Sequence, residues 1–154
     1  MVQQIEGFNI IGISVRTTNE NNESTQAIGA LWGRLYQEGI SHKIPNKLSE
    51  EIYAVYSDYK KDHTGKYTTT IGFKVNSLDD IPEGLSGVKI EGGDYTPFLA
   101  KGTMPLAVVE TRQEIWGSDK ELNRKYITDF EVYGKKATQG DQSEAPIFIG
   151  IKKP

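Results

Sequence analysis

The stretch Asp129-Phe130-Glu131-Val132-Tyr133 alternates carboxylates and a phenol with apolar side chains. Period-two alternation predicts a strand, with Phe130 and Val132 on one face and Asp129, Glu131 and Tyr133 on the other. Two settings fit a carboxylate beside a tyrosine on one strand face. On a solvated outer face it does nothing specific. Inside a cavity, an unpaired carboxylate is costly and either takes up a proton or attracts a cation. Aromatic faces would add cation–π attraction of roughly 0.5–2 kcal/mol each. The chain's eight Tyr, five Phe and two Trp supply the material. Around Glu131 the candidate walls are Tyr133, Tyr56, Trp116, Tyr95, Phe98 and Trp32. Each has a plainer alternative. Trp32 and Trp116 fall on apolar helical faces, where core packing competes with a ligand role. Tyr56 and Tyr133 could be cross-strand packing partners, and Tyr95 and Phe98 flank Pro97 as edge residues.

Other chemistries find little support. The absence of cysteine excludes disulfides, thiol catalysis and cysteine metal sites, and fits a reducing cytoplasm. His42 and His63 are too separated for a familiar metal motif and read as surface residues. No nucleophile elbow, zinc-protease or nucleotide-phosphate motif is present, so neither a metal nor a cofactor is expected. Glu110 and Glu114 are rival acids, but their helical context places them on a solvated face. A formal charge of −3 with only short basic runs offers no footprint for nucleic acid. No apolar run is long enough to cross a bilayer, and MVQQIEG lacks the pattern of a signal peptide.

The elements that must position Glu131 come from a sequence that repeats itself. IEGFNIIG at 5–12 echoes LSGVKIEG at 85–92, and LWGRLYQ at 31–37 lies over TRQEIWG at 111–117. IYAVYSDY at 52–59 matches DFEVYGKK at 129–136, and TIGFKV at 70–75 matches FIGIKK at 148–153. Each half reads strand, helix, strand, strand. The first helix starts at Ser24 or Thr25 and runs to about Glu38, with Ile28, Leu31, Trp32, Leu35 and Tyr36 as its apolar stripe. The second opens near Thr103, carries Pro105 in its first turn and presents Leu106, Val109, Ile115 and Trp116. The fold class expected is α+β: two βαββ repeats with pseudo-twofold symmetry, antiparallel sheet, one main helix per repeat and a ligand groove at the junction. A single domain, 1–154, would comprise repeat one (about 1–76), a linker (about 77–84) and repeat two (about 85–154). In this alignment Glu131 takes the place of Ala54 and Tyr133 that of Tyr56. The carboxylate therefore belongs to one half only, which favours function over a structural need.

With IYAVYSDYKKDHTGKYTTTIGFKV, IPEGLSGVKIEGGDYTPFLAKG, EIW, YITDFEVY and IFIGIKK on view, the chain resembles the GyrI-like small-molecule-binding superfamily. This is the effector-binding domain of AraC-type and multidrug-responsive regulators. The resemblance covers essentially the whole chain and implies two βαββ units. It also implies that Glu131 binds cationic aromatic ligands inside an aromatic-lined cavity. Because it spans 1–154, the form expected is a stand-alone member without a DNA-reading domain, similar to effector-binding proteins of integron cassettes. Three functions follow in order. The first is binding of cationic, amphipathic small molecules. The second is hydrolysis of reactive cyclopropane-type compounds, with Glu131 and Tyr133 as the catalytic pair. The third is a gyrase-inhibitor-like contact with protein. The partners expected are a small organic cation and either a homodimer mate or a separate regulatory protein, with no direct nucleic acid and no membrane.

Overall fold

The computed structural model describes residues 2–62 and 64–152. His63, read above as a surface histidine, lies outside the described residues, as do Lys153 and Pro154. The described strands, in chain order, are β1 (Gln3–Ile5), β2 (Phe8–Thr18), β3 (Lys47–Ser57), β4 (Lys66–Val75), β5 (Ser86–Ile90), β6 (Gly93–Lys101), β7 (Arg124–Tyr133) and β8 (Glu144–Ile151). Two long helices, α1 (Glu23–Gln37) and α2 (Leu106–Gly117), connect β2 to β3 and β6 to β7. The strands form one antiparallel sheet in the order β1-β6-β8-β7-β3-β4-β2-β5. The α+β class is as expected.

The sheet order is symmetric about its centre. Each half contributes a block of three long strands, β2-β4-β3 and β6-β8-β7, and the blocks meet where β3 pairs with β7. The short strands are exchanged: β1 adds to β6 of the other half and β5 to β2. The single strand expected to open repeat two is thus two, broken at Glu91-Gly92. Consequently LSGVKIEG lies on an edge strand, whereas IEGFNIIG runs into a long inner strand, so their likeness is not a match of position. TIGFKV and FIGIKK are out by two residues. Ile71 lies opposite Ala54 and Ile147 opposite Glu131, which makes Ile71 and Ile147 the equivalent pair.

Alternation sorts the side chains onto two faces. One face holds Ile10, Tyr53, Val55, Ile90, Tyr95, Phe130 and Val132. Phe8 of β2 and Phe130 of β7 are separated by two intervening strands, yet their rings are 5.2 Å apart. In a flat sheet with strands about 4.8 Å apart they would be nearly three times farther. The sheet therefore curls into a trough that packs on itself. Gly12 and Gly72 face each other across β2 and β4, and a Cβ on either would collide with the opposite backbone.

The helices cover the other face. Leu31 and Leu35, one turn apart on α1, are buried over Ile11, Ile13, Ile71 and Phe73. On α2 the buried positions are Ala107, Val108, Arg112 and Ile115; of the expected stripe Ile115 is buried and Trp116 is half-buried. Leu106 and Val109 are exposed. The helix is turned so that small residues meet the sheet and an arginine takes the place where the apolar stripe should continue. Because α1 lies over β2 and β4 and α2 over β6, the central strands β3 and β7 remain open between the helices.

Candidate functional site

Between α1 and α2 lies a cavity of about 780 Å³, within the size range of small-molecule sites. Its floor is β3 and β7. Ile28, Trp32 and Tyr36 of α1 form one wall, and Val108, Val109, Arg112, Gln113 and Trp116 of α2 form the other. Of the expected site residues, Glu131, Tyr133, Tyr56, Trp116 and Trp32 line this space. Trp32 meets Tyr133 edge to face, with centroids 5.0 Å apart.

Tyr95 and Phe98 are not among the lining residues, which corrects that part of the expectation. Alternation decides it for Tyr95. Its side chain is on the opposite face, packed against Phe130, and its hydroxyl donates to the Glu91 carbonyl at 2.8 Å. Phe98 is on the helix side, but β6 is two strands from β7, and the ring packs into the cluster beneath α2.

Glu131 is 1% exposed at the centre of the floor. It lies directly opposite Ala54 in the β3–β7 register. These two are repeat-mates, so the pair straddles the pseudo-twofold axis. A second carboxylate there would face the first at cross-strand distance, where like charges repel. Asymmetry at this position avoids that repulsion. The repeat-mates Tyr56 and Tyr133 converge on the single acid. Tyr133 Oη donates to Glu131 Oε1 at 2.5 Å and Tyr56 Oη donates to the same oxygen at 3.2 Å. They are not each other's cross-strand partners; Tyr56 lies opposite Asp129 and Tyr133 opposite Ile52.

The other oxygen corrects a premise of the sequence reading. Arg112 Nε donates to Glu131 Oε2 at 2.8 Å, so the carboxylate is paired within the chain. The Arg112 guanidinium lies 4.2 Å from the Tyr56 ring centroid, in cation–π range. Burial opposes the arginine's charge most strongly, but Glu131 together with Tyr56, Tyr59 and Asp129 more than offsets it, and the group is held above its ordinary pKa. Tyr56 and Tyr133 are raised well above the usual tyrosine range, first by burial and then by the Glu131 charge. Both therefore act as neutral hydroxyl donors.

A second buried ion pair stands two residues away. Arg124 Nη2 donates to Asp129 Oδ2 at 2.7 Å, Tyr59 Oη donates to the same oxygen at 2.5 Å, and the Gly150 amide donates to Oδ1 at 2.9 Å. Tyr59, Tyr67 and Arg124 also line the cavity. Neither these residues nor Arg112 were anticipated as site residues. The available signal for Arg112 was a basic residue one turn from both Val108 and Trp116. Glu110 and Glu114 are exposed, as a solvated helical face requires. Among the described residues no cluster of His, Asp and Glu could hold a metal ion. Among the described residues no helix is long and apolar enough to cross a membrane.

A curled antiparallel sheet, two covering helices and a large aromatic cavity between them define an effector-binding protein. The chain belongs to the Cass2 family of integron-associated effector binding proteins, whose family model matches residues 2–151. This agrees with the GyrI-like resemblance of the sequence. A curated Bacillus subtilis (strain 168) protein, YobU, named as a transcriptional regulator, is 31% identical over 146 residues, covering 92% of this chain and 91% of its own. The Vibrio cholerae integron cassette protein VCH_CASS2 superposes with a TM-score of 0.78 at 29% identity, over 99% of this chain and 95% of that one. SAV2435, solved with bound tetraphenylphosphonium, shares the fold with a TM-score of 0.81 at 23% identity, over 99% of this chain and 93% of that one.

Proposed function

We propose that this protein binds amphipathic, aromatic organic cations between α1 and α2, with Glu131 as the charge partner. Trp32, Tyr56, Trp116 and Tyr133 serve as walls. The observation that carries this reading is a nearly fully buried carboxylate at the floor of a cavity of about 780 Å³, surrounded by aromatic rings. A cation in this setting gains Coulomb attraction in a medium poorer in water, together with ring-face attraction. The tetraphenylphosphonium held by SAV2435 has the ligand chemistry the cavity would accept. Bound ligand would be sequestered or reported to a separate regulatory protein or a second copy of the chain in the cytoplasm.

The contacts on Glu131 favour binding over the hydrolytic alternative. Arg112, Tyr56 and Tyr133 already take three of the carboxylate's roughly four acceptor positions, so a water would have to share an oxygen that is already bonded in the resting site.

The test is a thermal-shift and tryptophan-fluorescence titration of wild type and Glu131→Gln, using cationic aromatic dyes and neutral molecules of similar shape. A ligand at about 100 times its Kd adds about 2.7 kcal/mol, worth roughly 2–4 °C per kcal/mol for a chain of this size. The cations should raise the wild-type Tm by several degrees and lose that effect with Glu131→Gln, whereas neutral molecules should respond alike to both. Equal cation shifts in the two proteins would contradict the role given to Glu131.

A further inference from the structure

Arg112 makes the two contacts that define a bound organic cation in this cavity. Its Nε meets the Glu131 carboxylate at 2.8 Å and its guanidinium covers the Tyr56 ring at 4.2 Å. We propose that Arg112 is a resident competitor for the cation place on Glu131, and that an incoming cation binds by displacing it. Arg112 thereby becomes the residue that sets charge specificity. This rests on the binding reading above and deepens it.

The charge balance requires such an exchange. Glu131 and Arg112 neutralise each other, so a cation added beside an unmoved Arg112 would leave uncompensated positive charge in a poorly hydrated space. The attachment is also one that can be released. The contact to the carboxylate runs through Nε and not through the two-point fork that guanidinium groups favour. Nη2 is buried with no hydrogen-bond partner among the described residues. The side chain is 11% exposed where Arg124, in the neighbouring pair, is 1% exposed. Arg112 stands on a cavity wall, and its long aliphatic stem can swing the charged head toward the opening. The resting site is thus biased against small or weakly stacking cations, because the ligand must outcompete a tethered guanidinium. Ligands able to bind carry enough aromatic surface to offset that exchange.

Tetraphenylphosphonium and tetraphenylborate share one shape and carry opposite charge, which makes them suitable probes. Calorimetric titration of wild type, Arg112→Met, Glu131→Gln and the double variant separates the outcomes. Arg112→Met should strengthen phosphonium binding about tenfold or more and weaken borate binding. Glu131→Gln should do the reverse. The double variant, with both charges gone, should restore a phosphonium-to-borate ratio near that of wild type. Arg112→Gln keeps polar donors near the carboxylate and should show the same trend if Arg112→Met folds poorly. Unchanged or weaker phosphonium binding by the folded Arg112 variants overturns the proposal while leaving the binding reading intact. If neither ion binds any of the proteins, the binding reading itself fails and the proposal with it.

Discussion

Two acids two residues apart on β7 each form a buried ion pair with an arginine, and the pairs differ in what surrounds them. Asp129 is enclosed on every side. It accepts from Arg124, Tyr59 and the Gly150 amide, and so ties β7 to its neighbour β8 and to the end of β3. Glu131 has side-chain partners alone and faces a cavity. One acid has a backbone donor and the other has a void. Buried ion pairs contribute little net stability, yet losing one partner is severe because the other charge is stranded. The comparison teaches that burial and charge alone do not tell the two acids apart; the open volume beside Glu131 does.

The largest effect expected concerns the enclosed pair. Asp129→Asn should cost about 3–5 kcal/mol in chemical denaturation. Arg112→Met, beside the cavity, should cost about 1–3 kcal/mol, because Glu131 keeps both tyrosine hydroxyls. An equal or larger loss for Arg112→Met would erase the distinction between clasp and site.

A smaller effect concerns both pairs together. Tyr56, Tyr59 and Tyr133 have folded-state pKa values raised well above the ordinary value, first by burial and then by the adjacent carboxylate. Above about pH 10 the unfolded chain releases phenolic protons that the folded chain retains. Their contribution is present below that pH and lost as pH rises from there through the folded values. Stability should fall steeply above about pH 10, with phenolate absorbance from these residues appearing only as the chain unfolds. Replacing Tyr59 with Phe should flatten the fall and change cation binding less than Tyr133→Phe, which should flatten it and also remove a donor from Glu131 itself. Early phenolate absorbance in a fully folded protein would contradict the enclosure of these hydroxyls.

The sequence disclosed much of this fold through alternation. DFEVY and IYAVY read correctly as strands because their apolar positions repeat every second residue, and Leu31 and Leu35 placed α1 because they repeat every turn. The repeat exposed Glu131 as the odd member opposite Ala54. It could not show that the two face each other on the axis, since register across β3 and β7 depends on how the halves dock. The exchange of β1 and β5 was equally hidden, because three to five residues carry too little pattern to reveal their partner. Helix α2 was misjudged in phase: Leu106 and Val109 look like core residues, whereas the sheet is met by Ala107 and Val108. That error concealed Arg112. A charged residue in an apolar stripe is legible only once the stripe is placed correctly, and its carboxylate lies 19 residues away on another element.

The central claim is that ligand enters the space between α1 and α2. The chain has two tryptophans, and Trp32 and Trp116 line that space from opposite helices. Their two indole N–H resonances, assigned with single Trp→Phe variants, can be followed by NMR during titration with tetraphenylphosphonium. The account predicts that both shift together and saturate with one bound ligand per chain. Binding that leaves both resonances unmoved would place the ligand elsewhere and contradict it.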